Sequence, residues 1–263
     1  MIHIAVTAGG TEESIDGIRK MTNMSSGSLG WHCLEAILSF MHKNHRTDFK
    51  VHYIKAPKAI TKKLSKTDKR FVNYINVTDT QSVYESIEKL MNEEDIDVFI
   101  HAMAISDFSY SYSAPIADLS DELHRAFAEN RDISKESIAS ILTQPQTKYK
   151  SGDKISSQKE IIMGFKTTPK VISLIKKKNP NTFLVGFKLI KHDEDDKKEK
   201  LIKEAEKLRL TNECNAVFAN ESSDLSEKSH AGILLHNGKV VAQPVGKKNI
   251  AKSIVSLALQ ETF

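Results

Sequence analysis

The chain has only two cysteines in 263 residues, Cys33 and Cys214. They stand far apart and in no metal spacing, which argues against a disulfide scaffold and leads us to expect a reducing cytoplasm. No Cys-x-x-Cys and no His-Glu-x-x-His occurs, so no protein-held metal is expected. Long apolar runs are missing as well. Nothing approaches the roughly 20 residues of a membrane span, and the N-terminus enters a strand without a signal-peptide pattern. The net formal charge of +4 suits small acidic substrates and is too mild to argue for nucleic acid. Internal repeats, low-complexity segments and a clear linker are absent, so a single domain over 1–263 is expected.

The usual nucleotide and acyl-transfer signatures are absent too. There is no Walker A sequence. The dinucleotide fingerprint is broken by a long polar loop between Gly10 and the pair Gly27 and Gly30. The second strand ends in Ile54-Lys55, where an NAD ribose needs an acid. Neither a Tyr-x-x-x-Lys pair nor a Gly-x-Ser-x-Gly elbow occurs.

What is present is an alternation of short apolar runs with amphipathic stretches. Strands are predicted over residues 2–7, 50–54, 71–77, 97–106, 182–189 and 215–220. Helices are predicted over about 26–41, after a capping box formed by Thr78 and Gln81, from Thr168-Pro169, over 192–210 and over 247–259. A hairpin is expected around Asn237-Gly238. The basic stretch 55–70 reads as a solvated face. Residues 109–152 read as an irregular connection with a short helix over 121–130, its Leu123 and Phe127 turned inward. The order predicts an α/β, Rossmann-like, doubly wound and mainly parallel sheet, with helices on both faces and a late β-hairpin.

One stretch organises the rest. Strand 2–7 runs into Gly9 and Gly10, then into a polar loop holding Asp16, Arg19 and Asn23, and then into Ser25-Ser26-Gly27 at a helix start. Glycines let backbone N–H groups approach an anion, and a helix N-terminus adds donors and a positive dipole end. The apolar run 97–106 ends in Asp107, at the strand end where open α/β sheets bind ligands.

Eight segments stand in a fixed order: Thr7-Ala-Gly-Gly-Thr-Glu-Glu13, Asp16-Gly-Ile-Arg19, Thr22-Asn-Met-Ser-Ser-Gly27, His101-Ala-Met-Ala-Ile-Ser-Asp-Phe108, Lys154-Ile-Ser-Ser157, Thr168-Pro-Lys-Val-Ile172, Leu184-Val-Gly-Phe-Lys-Leu189 and Phe218-Ala-Asn-Glu221. Together they resemble the phosphopantothenate–cysteine ligase family, from residue 4 to about the last helix. The resemblance implies a ligase of coenzyme A biosynthesis that joins 4′-phosphopantothenate to L-cysteine through an acyl-nucleotidylate. CTP is the expected co-substrate, with ATP the alternative, and Mg²⁺ rides on the phosphates with no protein ligands. A homodimer is implied, with no nucleic-acid or membrane partner. Because the motifs begin at residue 4, a stand-alone bacterial type is expected, its product passing to a separate decarboxylase.

The resemblance also implies site roles. Asn23 and Lys154 are the catalytic candidates, Lys154 lying on a lid segment around 109–160. Gly10, Ser25, Gly27, Gly30, Asp107, Phe187, Lys188, Asn220 and Lys247 would bind nucleotide. Asn23, Arg19, Met103, Ala104 and Asp107 would bind the acid. The sequence departs from the family at Ile190, where many members carry an acid after Gly-Phe-Lys-Leu. Two other classes fit the same pattern of elements: an NAD(P)-dependent oxidoreductase and a nucleotide-binding module without catalysis.

Overall fold

The computed structural model describes residues 1–129, 133–149, 153, 160–190, 197–221 and 229–263. In chain order the elements are β1 (Ile2–Ala8), β2 (Glu12–Ser14), β3 (Lys20–Thr22), α1 (Ser28–Lys43), β4 (Phe49–Lys55), α2 (Lys66–Lys69), β5 (Val72–Asn76), α3 (Thr80–Glu93), β6 (Val98–His101), β7 (Phe108–Pro115), α4 (Ile116–Glu129), α5 (Lys135–Thr143), β8 (Ile161–Thr167), α6 (Val171–Lys178), β9 (Phe183–Ile190), α7 (Lys197–Thr211), β10 (Ala216–Glu221), β11 (Gly232–His236), β12 (Lys239–Ala242) and α8 (Lys247–Thr262). They fall into two compact units. The larger comprises Met1–Thr11, Asn23–Ile105 and Lys170–Phe263, the smaller Glu12–Thr22 and Ser106–Pro169.

The larger unit is built on an eight-stranded sheet ordered β12-β11-β10-β9-β6-β1-β4-β5. Every pair from β10 to β5 is parallel, and the late hairpin β11–β12 adds the two antiparallel strands. The chain starts in the middle at β1, winds out to β5, and returns to β6 on the other side. The gap between β1 and β6 is therefore the point where the winding reverses, the usual ligand crevice of such sheets. The expected doubly wound, mainly parallel sheet is the one observed.

Continuous apolar strands make this possible. Ile4, Ala5, Val6, Val98, Phe99 and Ile100 are fully buried, so both faces of the sheet centre are covered. On one face α1 and α8 pack together, with Leu34, Ile37, Ile250 and Ile254 in one core cluster. On the other face α3, α6 and α7 bury Val83, Ile87, Ile175 and Ala205 in a second cluster. The hairpin turn is at Asn237 and Gly238, both with positive φ of 49° and 74°, the two-residue form whose twist matches its strands.

Several expectations are corrected. The capping box of α3 sits one residue later, where Asp79 Oδ1 accepts from the Ser82 N–H at 2.8 Å and Ser82 Oγ from the Asp79 N–H at 3.1 Å. A carboxylate accepts more strongly than a hydroxyl, and the Gln81 amide is engaged with Glu85 at 2.8 Å. Strand β6 ends at His101 instead of running to 106. Beyond it the backbone turns to other partners: the Met103 N–H donates to Thr7 Oγ1 at 3.1 Å and the Ala104 N–H to the Gly9 carbonyl at 2.9 Å. Helix α6 starts at Val171, after an N-cap at Lys170. Thr168 is not its cap, because its hydroxyl donates to the Ser106 carbonyl at 2.6 Å and its N–H to the Asp107 carbonyl.

The smaller unit is more regular than expected. Residues 108–115 form β7, antiparallel to β8, and β2 pairs with β3 in a second two-stranded sheet. Tyr110 and Tyr112 are both buried, and the hydroxyl of Tyr110 donates to the Tyr149 carbonyl at 3.1 Å, that of Tyr112 to the Leu142 carbonyl. The serines between them masked an alternating strand that β-favouring tyrosines support. Helix α4 is longer than predicted and uses a different face. Leu119 and Glu122 are its buried residues, Leu123 is half-buried, and Phe127 is 46% exposed.

Candidate functional site

The crevice of the larger unit opens at the C-terminal ends of β1, β6, β9 and β10, as a cavity of about 320 Å³. Of the residues singled out from sequence, Ser25, Gly27, Gly30, Met103, Ala104, Phe187, Asn220 and Lys247 line it.

Two helices aim their N-termini into this cavity. Helix α1 begins after Gly27 and α8 after Gly246, both with positive φ, 70° and 83°. Neither cap residue has a side chain to bond the first-turn donors, and neither first turn carries an acid. The Ser28 N–H reaches only Ser26 Oγ, at 3.4 Å. First turns without a capping side chain, with the positive dipole ends behind them, suit an anion. Lys247, the first residue of α8, adds a cation there and holds Ser28 Oγ at 2.8 Å. Among the described residues that line the cavity there is no carboxylate. The local field therefore favours a ligand with negative charge.

The backbone is packed closely enough to hold these pieces rigid. Gly30 lies against β1, where a Cβ would sit 2.6 Å from Ala8 Cβ and 3.0 Å from the Thr7 carbonyl. Gly10 does not line the cavity; a Cβ there would overlap the Asn23 carbonyl, so its bareness serves chain crossing. The crossing is fixed by the Thr11 N–H on the Ala104 carbonyl at 3.1 Å and the Asn23 N–H on the Thr11 carbonyl at 3.2 Å. Asn23 is half-buried at that crossing, beside the residues 24–30 that line the cavity.

Met103, which lines the cavity, is held from behind by fully buried Thr7, whose hydroxyl accepts from the Met103 N–H and lies 3.2 Å from His101 Nδ1. Burial pushes His101 down to about 4, so the imidazole is uncharged near neutral pH. Phe187 and Phe218 lie 6.0 Å apart between ring centroids, and Phe218 stacks on His230 at 6.0 Å. Phe187 offers the cavity an aromatic surface suited to a nucleobase or an apolar chain.

Other sequence candidates make contacts of their own. Lys188 follows Phe187 on β9, and alternation turns it to the opposite face, where it pairs with Glu204 of α7 at 3.4 Å. Arg19 and Asp107 belong to the smaller unit. There Arg19 engages Asp16 through Nε at 2.9 Å and Nη2 at 2.7 Å, and this guanidinium holds the Asp16 carboxyl at about 2. Lys154 lies outside the described residues. Sequence reading missed Ser28 and His230, both at the cavity. The position of Ser28 next to Gly27 was a usable signal; nothing in the spacing marked His230.

Comparison with known proteins places the chain. Residues 1–148, more than half of it, match a family model described as the DNA/pantothenate metabolism flavoprotein C-terminal domain. The Coenzyme A biosynthesis bifunctional protein CoaBC of Thermococcus kodakarensis is 26% identical over 185 residues, 70% of this chain and 33% of that protein. The CoaBC of Vibrio vulnificus is 28% identical over 148 residues, 55% of this chain and 33% of that one. The chain thus spans about a third of the length of the curated relatives it matches. The solved DNA/pantothenate metabolism flavoprotein from Streptococcus pneumoniae is 26% identical and superposes with a TM-score of 0.77, over 99% of this chain and 100% of the other. A mutant of Cab2 in complex with phosphopantothenate-cysteine shares the fold, with a TM-score of 0.66 at 13% identity, covering 99% of this chain and 86% of that one. These matches agree with the family resemblance carried by the eight motifs. The chain belongs to the family of DNA/pantothenate metabolism flavoprotein C-terminal domains.

Proposed function

We propose that the chain is a phosphopantothenate–cysteine ligase of coenzyme A biosynthesis, activating its acid with CTP. The observation that carries this reading is the convergence of two helix N-termini without side-chain caps and of Lys247 on one cavity. Such a site suits a substrate made of phosphates. The names of the CoaBC relatives point to the same pathway.

The chemistry follows from the demands of the reaction. A carboxylate is a poor electrophile, so it attacks the α-phosphorus of the nucleotide and expels pyrophosphate, forming a mixed anhydride. The cysteine amine then attacks the activated carbonyl, and the nucleoside monophosphate leaves as the amide forms. Both reactants of the first step are anions, so the protein must neutralise and align them. The N–H groups of α1 and α8 and the Lys247 ammonium take the phosphates. Asn23, a neutral amide, donates to the acyl oxygen without altering the charge balance. Phe187 and Asn220 hold the base and sugar end. Mg²⁺ arrives as part of the nucleotide substrate. The family resemblance gives Lys154 the role of a further cation toward the triphosphate. The protein acts as a homodimer in the cytoplasm, and its product goes on to decarboxylation.

The test is pyrophosphate release with CTP or ATP, phosphopantothenate, and cysteine added or withheld. Release that needs the acid, with amide formed only when cysteine is present, is the expected result. Nucleotide binding without release under any condition would leave a binding module and refute the ligase.

A further inference from the structure

At the opposite end of the strands from the crevice, three metal-ligating side chains converge. His3 of β1 and His52 of β4 lie on the same face of the sheet, because the register pairs His3 with Lys50 and Ala5 with His52. Glu94, the residue that ends α3, reaches the same place. His3 Nδ1 is 3.2 Å from His52 Nε2 and 3.4 Å from Glu94 Oε2, and all three atoms lie within 4.8 Å of one another. His52 is buried, while the His3 and Glu94 side chains are 15% and 40% exposed. The group borders a hollow of about 700 Å³, so an ion has a path in.

The distances discriminate between occupants. A tetrahedral ion with bonds of about 2.0–2.1 Å sets its ligand atoms about 3.3–3.4 Å apart, whereas an octahedral one of the same bond length sets neighbouring ligands about 2.9 Å apart. Both measured edges are closer to the tetrahedral value. The third edge closes by rotation of the half-exposed Glu94 side chain. A single proton on His3 Nδ1 can serve the His52 nitrogen or the Glu94 oxygen well, but only a cation serves all three acceptors at once. Two of the nearby cations are engaged elsewhere: Lys50 Nζ donates to the Arg70 carbonyl at 2.9 Å, and the Arg70 guanidinium lies over the Phe71 ring at 4.9 Å. Asn73, directly opposite His52 on β5, sets its amide 3.5 Å from His52 Nδ1. That is where a second shell steadies a ligating imidazole.

We propose that His3, His52 and Glu94 form a site for a four-coordinate divalent transition metal of the zinc class, with the fourth position open to solvent. Local spacing in the sequence gave no sign of it, since the three residues come from three separate elements.

The experiment uses the full chain, stripped with a chelator and titrated with Co²⁺ alone. The expected result is saturation at one ion per chain, with the intense visible absorption of four-coordinate cobalt, displaced by Zn²⁺. His52→Gln and Glu94→Gln should each abolish that absorption, and Asn73→Leu should weaken binding about 10- to 100-fold. Circular dichroism checks that each variant is folded; Glu94 lies at the surface, so Glu94→Gln serves if the buried His52→Gln is not. Only weak six-coordinate absorption in the unmodified chain, or an unchanged spectrum in a folded Glu94→Gln, would overturn the assignment.

Discussion

Replacing Thr7 with valine is the sharpest perturbation of the crevice, because it changes one hydroxyl and almost no volume. Thr7 is fully buried, accepts from the Met103 N–H at 3.1 Å, and sits 3.2 Å from His101 Nδ1. Valine leaves both groups without this partner. A buried polar group deprived of its hydrogen bond costs about 1–3 kcal/mol, and the gain from an added apolar group offsets less than about 1 kcal/mol. The expected loss for Thr7→Val is therefore about 2–4 kcal/mol. Thr7→Ser keeps the hydroxyl and loses one methyl, about 1 kcal/mol. Urea denaturation followed by circular dichroism should rank the native chain above Thr7→Ser and Thr7→Ser above Thr7→Val. A valine variant within about 0.5 kcal/mol of the native chain, or more stable than the serine variant, would refute the reasoning. Because Met103 lines the cavity, the valine variant should also raise KM for the acid substrate.

Four further outcomes are expected. Gly30→Ala should lower the melting temperature: alanine favours the helix by about 1 kcal/mol, but its Cβ at 2.6 Å from Ala8 Cβ forces α1 off β1 at a cost of about 1–3 kcal/mol. A higher melting temperature would mean the helix yields freely. Lys247→Ala should raise KM for the nucleotide about tenfold or more with a smaller change in kcat, measured by steady-state pyrophosphate release; an unchanged KM would remove Lys247 from the phosphate site. Asn23→Asp places a negative charge where an oxygen must be bound, and turnover should fall at least about 100-fold with the melting curve intact; near-normal turnover would exclude the proposed role. His101 is pushed down to about 4 from an ordinary 6.5. Between these values the unfolded chain binds the extra proton, so the stability contributed by neutral His101 is whole above pH 6.5 and is lost as pH falls toward 4, by about 3 kcal/mol. His101→Gln should flatten the pH dependence by that amount relative to the native chain, since His52, also lowered to about 4, is present in both. Parallel pH profiles would show that burial does not set the His101 proton.

The sheet was legible because its central strands, buried on both faces, leave near-continuous apolar runs at Ile2–Ala8, Val98–His101 and Phe183–Ile190. Gly10 shows the opposite: read as part of a phosphate cradle, it is bare because of its crossing against Asn23, which no local spacing reveals. Local competition between equivalent chemistries was not legible. Thr78 was read as the cap of α3, and only the hydrogen bonds show that Asp79 takes that place. Tyr110 and Tyr112 carried a strand signal that the intervening serines diluted. Lys188 shows a different limit. A motif read as consecutive letters hides the alternation that sends Phe187 to the cavity and Lys188 to Glu204. His3, His52 and Glu94 meet only after three elements have packed, so no window of sequence contains them.

The Thr11–Asn23 crossing has a consequence for how such a chain can change. Residues 12–22 leave the large sheet unit and return to within one hydrogen bond of their point of departure, the Asn23 N–H on the Thr11 carbonyl at 3.2 Å. The second excursion, 106–169, likewise departs just after Ala104, which is already bonded to Gly9 and Thr11. Each branch thus grows from a closed knot in the trunk. Lengthening or shortening a branch adds only a slowly rising loop-closure term, about 0.6 kcal/mol per doubling of length, while the knot itself is unchanged. Descendants of such a chain can rewrite either branch without renegotiating the trunk from which both depart.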